Sequence, residues 1–593
     1  MLNDAHKPAA LPRLGDFTTD RRVLLLIAMA LVVGVGGTIG AWVLLKLIAL
    51  FTNLIWFGQL SVATASLAGV SPSWWMVAAP ALGGLVIGLM ARYGSEAIRG
   101  HGIPEAIEAI LIGGSRMKLK VALLKPLSSA ISIGSGGPFG AEGPIIMTGG
   151  AIGSLFAQSF HMSAAERKTL LVAGAAAGMT AVFGTPLAAV LLAVELLLFE
   201  WKPRSLIPTI AAALVAAGLR PLLIGSGALF PYAGSVALPW WGLLACAGFG
   251  LVIGLQSGLM TTLLYRVEDL FEKLPIHWMW WPAIGGIAVG LGGLVKPSAM
   301  GVGYDVIGAL LSTDLAVGSV LVLLLVKSAI WTISLSSGTS GGVLAPLLIL
   351  GGCAGWLLGH LLPGTPSFWA LLGMAAMMGG TMRAPLTGVM FAFELSGSGA
   401  ALLPLLAATA TAYATTVLLL KRSILTEKIA RRGRHLSREY VVDPFEQLRA
   451  ADVMITAVDT LAADMTVDAA VAFFSDGEKR HKSYPIVDGG GGVVGMASRA
   501  DVLRWGREAP HGAATLFDVA SDNNPAVVHA GDLLGRVADL MVERDIGRVP
   551  VLDAEGRLVG LIARKDLLRI RVVRNRDEVE RQAYSRPWRQ VLS

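Results

Sequence analysis

The chain is short of charge. Only 15% of its 593 residues are Asp, Glu, Lys or Arg, against about a quarter in a soluble globular chain. That deficit excludes an ordinary soluble globule for most of the length and points to a bilayer. Cysteine is nearly absent: Cys246 and Cys353 are the only two, both inside apolar runs, so no disulfide framework is implied. A secretory signal is also missing. The first 22 residues are polar and mixed, and the first apolar run, 23–51, is too long for a signal core and lacks a small-residue cleavage site. It reads as a long, tilted membrane helix. No basic face with interleaved aromatics stands out, so the net charge of +7 speaks for topology rather than for nucleic acid.

What is present is apolar. Hydrophobic residues make up 54% of the chain and the mean hydropathy is +0.65. Apolar runs dominate from Val23 to about Leu420, whereas Lys421 to Ser593 reads as a soluble domain. Lys7, Arg13, Arg21 and Arg22 precede the first run and a basic stretch, 421–438, follows the last. By the positive-inside rule both ends are predicted cytoplasmic, for a multi-pass protein of the cell (inner) membrane.

The membrane half repeats itself. The run from Leu124 matches that from Val326 at an offset of 202, pairing Lys125 with Lys327, Pro144 with Pro346 and Gly153 with Gly355. Further on, Thr185 onward matches Ala384 onward at 199, pairing Glu195 with Glu394. Upstream, "GHG" at Gly100–Gly102 faces "GVG" at Gly301–Gly303. A duplicated unit broken by Gly and Pro at matching places points to a transporter-type substrate site. Where a Gly-rich break opens into a helix, free N–H groups and the positive end of the dipole face the cavity, which suits an anion. The candidate helix starts are "GHGIPE", "GAEGP" and "GGVLAP". No ring of intramembrane acids appears, which argues against a cation path.

These blocks resemble the CLC family of chloride channels and proton–chloride antiporters. The family signatures are present as "GHGIP" (Gly100–Pro104), "GAEGP" (Gly140–Pro144) and "GVLAP" (Gly342–Pro346). The resemblance implies an all-α polytopic membrane domain of broken helices in an inverted repeat. It also implies a homodimer in the lipid bilayer, with one pathway for chloride and other small anions per subunit. Glu142 matches the family's gate: deprotonated it occupies an anion position, protonated it swings away. The repeat adds an independent point, because Glu142 faces Leu344 and the duplicated scaffold therefore requires no acid there. The anion positions carried over are His101, Gly102, Ile103, Ala141, Gly143, Val343, Leu344 and Leu425.

Several of these depart from the family. His101 replaces the serine of the first signature; it still carries an N–H and titrates near neutral pH in its free form. Leu425 replaces the pore tyrosine, and Tyr413 lies about three helical turns upstream as an unproven substitute. Leu196 stands at the inner proton-relay position of the antiporters, after Glu195. Glu200 is four residues on, and shares that face if the helix continues. The loss at Leu196 favours passive, chloride-selective, pH-sensitive conduction gated by Glu142. The alternative is a proton-coupled antiporter of chloride, other halides or nitrate with a non-standard proton path.

The cytosolic half also repeats. "YPIVDGGGGVVGMASRADVL" from Tyr484 matches "VPVLDAEGRLVGLIARKDLL" from Val549 at an offset of 65. Each copy has two strand-like runs around a Gly or Asp turn, then a helix, and resembles a CBS module of α/β type. In such modules the loop hydroxyl and Asp bind an adenine nucleotide, which makes Ser498, Asp501 and Asp566 the candidates; Ala563 has lost the hydroxyl. The rival is a purely structural dimerisation module. The predicted division is 1–22 as an N-terminal segment and 23–432 as the membrane domain (repeats about 23–230 and 235–432). A linker over 433–447, modules over 448–510 and 511–574, and a tail over 575–593 complete it.

No enzyme, required cofactor or metal is expected. "GTSGG" (Gly338–Gly342) formally fits a nucleophilic-serine pattern at Ser340, the remote alternative of an intramembrane serine protease, but no His motif accompanies it. A divalent-cation transporter needs several facing intramembrane carboxylates, and the breaks supply only Glu142.

Overall fold

The computed structural model describes residues 21–570 apart from 112, 235–237, 313–314, 434–444, 446–447, 476–480, 509–513 and 521–524. The predicted N-terminal segment, linker and tail thus lie almost wholly outside the described residues. The chain divides into two units, one within 17–439 and one within 440–593.

The membrane unit is helical throughout, and its elements pair across the repeat. Repeat one contains α1 (Arg22–Phe57), α2 (Trp75–Tyr93), α3 (Ile103–Leu111), α4 (Leu119–Gly134), α5 (Glu142–Gln158), α6 (Ala164–Phe183), α7 (Pro186–Leu192) and α8 (Pro203–Leu223). Repeat two answers in the same order. It contains α9 (Gly242–Glu272), α10 (Trp281–Val295), α11 (Tyr304–Ser312), α12 (Val317–Ser336), α13 (Leu344–Leu358), α14 (Pro366–Met382), α15 (Pro385–Ser396) and α16 (Leu402–Leu419). A last helix, α17 (Ile424–Arg431), has no counterpart. Packing follows the pairing: α5 lies on α6 as α13 lies on α14, and α1 lies on α8 as α9 lies on α16. α2 and α10 join the repeats by packing on each other, where Gly84 meets Pro282 and its mate Gly286 meets Pro80.

Seven described helices are long and apolar enough to cross a membrane. α1 has 36 residues, about 54 Å of helix, so it fits a hydrocarbon core of about 30 Å only when strongly tilted. α3, α5, α11 and α13 are short and start inside the protein. Their irregular leading loops are buried, the condition under which non-helical backbone is tolerated at membrane depth.

In the second unit each module has a three-stranded sheet. β1 (Leu461–Ala462) runs parallel to β2 (Ser483–Val487), which pairs antiparallel with β3 (Val493–Ser498). β4 (Val528–His529), β5 (Arg548–Leu552) and β6 (Leu558–Ala563) repeat that topology. The register keeps the 65-residue offset: Pro485 faces Met496, and Pro550 faces Leu561.

Candidate functional site

The site forms where the breaks of the two repeats meet. Gly140 and Gly342 form an antiparallel bridge, each N–H donating to the other's carbonyl at 3.3 and 2.9 Å. The two helix starts are thereby fixed to each other. Glu142, the first residue of α5, is fully buried. Its Oε1 accepts from the Ala345 N–H at 3.0 Å, in the first turn of α13, while Oε2 has no partner. The carboxylate thus sits where a helix start offers an N–H and the positive dipole end. A Cβ on Gly140 or Gly342 would collide with that carboxylate, so glycine is needed at both for the acid to lie between the loops. Ala141 caps α5, Gly143 follows Glu142, and Val343 and Leu344 open α13. All four are buried here.

The third start is held differently. Gly100 and Gly102 adopt positive φ (77° and 88°) on either side of His101. His101 is 2% exposed and neither ring nitrogen has a partner. Lys125, Lys428, Arg432 and Glu105 are the charged groups around it. The loop touches α5 through the His101 carbonyl, which lies against Gly143, and Gly100 N–H donates to Gly338 O at 3.3 Å. Gly102 needs a correction. Its N–H donates to Glu105 Oε2 at 3.1 Å, so the helix's own acid, paired with Lys428 and Arg432, already takes the donor assigned to an anion. Ile103 opens α3 beside it. Glu105 also lines a cavity of about 590 Å³, together with Arg99, Glu268, Lys428 and Arg432 among others.

Leu425 is fully buried at the start of α17 and brings no hydroxyl. The Tyr265 hydroxyl from α9 reaches that start but donates to the Ile424 carbonyl. Tyr413 is half-buried on α16. Leu196 is fully buried in a wider turn, Ala193–Leu198, that ends α7. The expectation for Glu200 fails here: the helix stops at Phe199, which has a left-handed φ of 52°. Glu200 therefore leaves the Leu196 face and binds Ser205 at 2.6 Å and Lys168 at 3.4 Å. Ser340 lies four residues before α13 and shares hydrogen bonds with Ser128 and Ser129.

Two symmetric devices escaped the sequence reading. Lys125 Nζ donates to the Ile98 and Gly100 carbonyls at 2.8 and 2.7 Å, and Lys327 Nζ to those of Ala299 and Gly301 at 2.9 and 3.0 Å. Each fully buried lysine clamps the Gly-x-Gly loop of its own repeat. The matched glutamates cap each other's repeat: Glu195 accepts from Leu386 and Thr387 at the start of α15, and Glu394 from Leu187 and Ala188 at the start of α7. The signal was the pairing of charged residues across two apolar repeats.

In the modules, Ser498 N–H donates to Asp501 Oδ2 at 3.2 Å and Ala563 N–H to Asp566 Oδ2 at 2.9 Å. Both acids cap the turn that follows the last strand of their module. Among the described residues no group of three or more His, Cys, Asp or Glu is placed to hold a metal.

A buried carboxylate seated on a helix start between two inverted, broken repeats, with seven membrane-length helices among the described residues, defines a multi-pass anion transporter. The chain belongs to the voltage gated chloride channel family, whose description matches residues 83–417; CBS domains match 450–508 and 517–572. It is 29% identical over 371 residues to a ClcB-like protein of Ralstonia nicotianae, covering 61% of this chain and 86% of that one. It is 30% identical over 421 residues to the H(+)/Cl(-) exchange transporter ClcA of Klebsiella pneumoniae subsp. pneumoniae, covering 65% and 84%. The fold matches a slow cyanobacterial Cl-/H+ antiporter (TM-score 0.59, 22% identity, 70% of this chain and 98% of that one). It also matches a eukaryotic CLC transporter (TM-score 0.58, 19% identity, 92% and 98%).

Proposed function

We propose that the chain exchanges chloride, or another small anion, for protons along a path gated by Glu142. The observation that carries this is the Glu142 carboxylate on the Ala345 N–H: the acid occupies an anion position as an anion, and protonation frees it. Coupling is supported by the relative named H(+)/Cl(-) exchange transporter, and this favours the coupled alternative over the passive conduction expected from Leu196. Passive conduction keeps one observation, since Leu196 is apolar and Glu200 is diverted to Lys168. Exchange then needs a proton route that avoids position 196.

In this reading His101 donates an N–H to the central anion, and the first-turn N–H groups of Ile103, Gly143, Val343 and Leu344 complete the path. Ala141 and Leu425 shape its walls. The working form is a homodimer with both termini cytoplasmic. Adenine nucleotide at Ser498, Asp501 and Asp566 is supported by the CBS match alone, because both acids are engaged as caps.

The test is the purified protein in liposomes under a chloride gradient, with external pH recorded. Exchange drives protons uphill. Chloride movement without uphill protons returns the passive reading, and no chloride movement at any pH from about 4 to 8 overturns both.

A further inference from the structure

Tyr304 is a point where the repeats differ close to the gate. At an offset of 201 it stands where repeat one has Ile103, as the first residue of α11. α11 packs on α13, the helix whose Ala345 N–H donates to the Glu142 carboxylate, and a side chain at Gly303 would meet Ile349 of α13. The ring is fixed by edge contacts, to Phe183 at 6.2 Å and to Phe230 at 5.6 Å, with Phe391 behind Phe183 at 5.1 Å.

The hydroxyl at the end of this fixed ring is buried and has no hydrogen-bond partner. Glu142 is the charged group within its electrostatic reach, and Glu142 Oε2 is likewise buried without a partner. Neighbouring charges are committed elsewhere: Asp305 accepts from Ser66 at 2.6 Å, and Lys327 holds two carbonyls. A buried oxygen left unpaired is costly, so a state in which these two atoms meet would satisfy both. When Glu142 is protonated it no longer needs the Ala345 N–H and gains an O–H of its own. A phenol can both donate to its carbonyl oxygen and accept from its hydroxyl.

We propose that the Tyr304 hydroxyl is the hydrogen-bond partner of Glu142 after its carboxyl leaves the Ala345 N–H. Tyr304 is then a positioning residue that stabilises the open gate, and the proposal rests on Glu142 being that gate. In the second repeat it makes the start of α11 part of the gate rather than a mirror of the anion site at α3.

The test is Tyr304→Phe, which keeps the ring and its two aromatic neighbours, Phe183 and Phe230. Two readouts are needed in the full-length protein. Anion efflux from liposomes should reach half-activation about half to one pH unit lower, three- to tenfold less flux at a fixed pH near the midpoint, the size of one net hydrogen bond. The infrared carbonyl band of protonated Glu142, identified as the band lost in Glu142→Gln, should move to higher wavenumber. In a Glu142→Ala background the same substitution should change neither flux nor its pH profile. An unmoved band with an unmoved midpoint overturns the proposal. So does an equal loss in the Glu142→Ala background, which would make the hydroxyl a ligand of the anion itself. The band does not depend on transport, so it separates failure of this contact from failure of the gate reading.

Discussion

The two halves of the membrane unit share a scaffold and divide the chemistry. Both clamp a Gly-x-Gly loop with a buried lysine, both cap the other's helix with a glutamate, and both lend a glycine to the bridge between breaks. At the residues of the proposed path they diverge: Glu142 against Leu344, His101 against Val302, Ile103 against Tyr304. In the proposed reading, symmetry marks what holds the fold and its failures mark what meets the ion. The same contrast recurs in the modules, where Ser498 faces Ala563 and Gly492 faces Arg557.

The largest scaffold effect is expected at the clamps. Lys125→Met and Lys327→Met each leave two buried carbonyls unpaired, about 1–3 kcal/mol apiece. Each lysine has an acid within electrostatic reach, Glu105 for Lys125 and Asp305 for Lys327; Glu105 is buried and Asp305 exposed, so the loss of Lys125 should cost more. Thermal unfolding in detergent checks both; equal losses would break the difference drawn between the repeats. Next come the crossed caps. Glu195→Gln and Glu394→Gln should each cost about 1 kcal/mol, as a charge at a helix start does, with the larger loss at Glu195, which also accepts from the Thr387 hydroxyl. A selective collapse of transport in Glu195→Gln, with stability intact, would make that residue more than a cap.

The smallest effect lies in the second unit. Asp553 accepts from the Glu555 and Arg557 N–H groups at 3.1 and 2.8 Å and from Arg557 Nε at 3.0 Å. The Arg557 backbone N–H, then its guanidinium, hold its carboxyl below the usual Asp range. A depressed carboxyl stabilises the fold above its unfolded value and loses that as pH falls through the folded one. Arg557→Gly, which copies Gly492 of the first module, should move the Asp553 titration back toward an ordinary Asp. Carbon-detected NMR follows it, and an unmoved titration would remove the side chain from the account.

Much of this was legible in the sequence, and the reason is spacing. Broken starts at Gly100, Gly140 and Gly342 and a lone acid opposite Leu344 are visible without coordinates because the repeat aligns them. What was not legible depends on where a chain stops or turns. The spacing puts Glu200 on the Leu196 face only if the helix continues, and the left-handed φ of Phe199 ends it. Nothing in "GHGIPE" says that Glu105 folds back onto the Gly102 N–H. Nothing in the sequence singles out Tyr304, because a phenol gains meaning only when its hydroxyl is buried and unpaired within electrostatic reach of the other repeat's acid.

The central claim is that one carboxylate, in one repeat, competes with the anion for the head of α13. Anion efflux from liposomes holding Glu142→Gln, followed from about pH 4 to 8 beside the unmodified protein, tests it most directly. The amide carries no charge to compete with the anion, so flux should persist, at or above the acid-activated level of the unmodified protein, and lose its dependence on pH. Flux that keeps its full acid activation in the mutant would contradict the account and move the gate to another group.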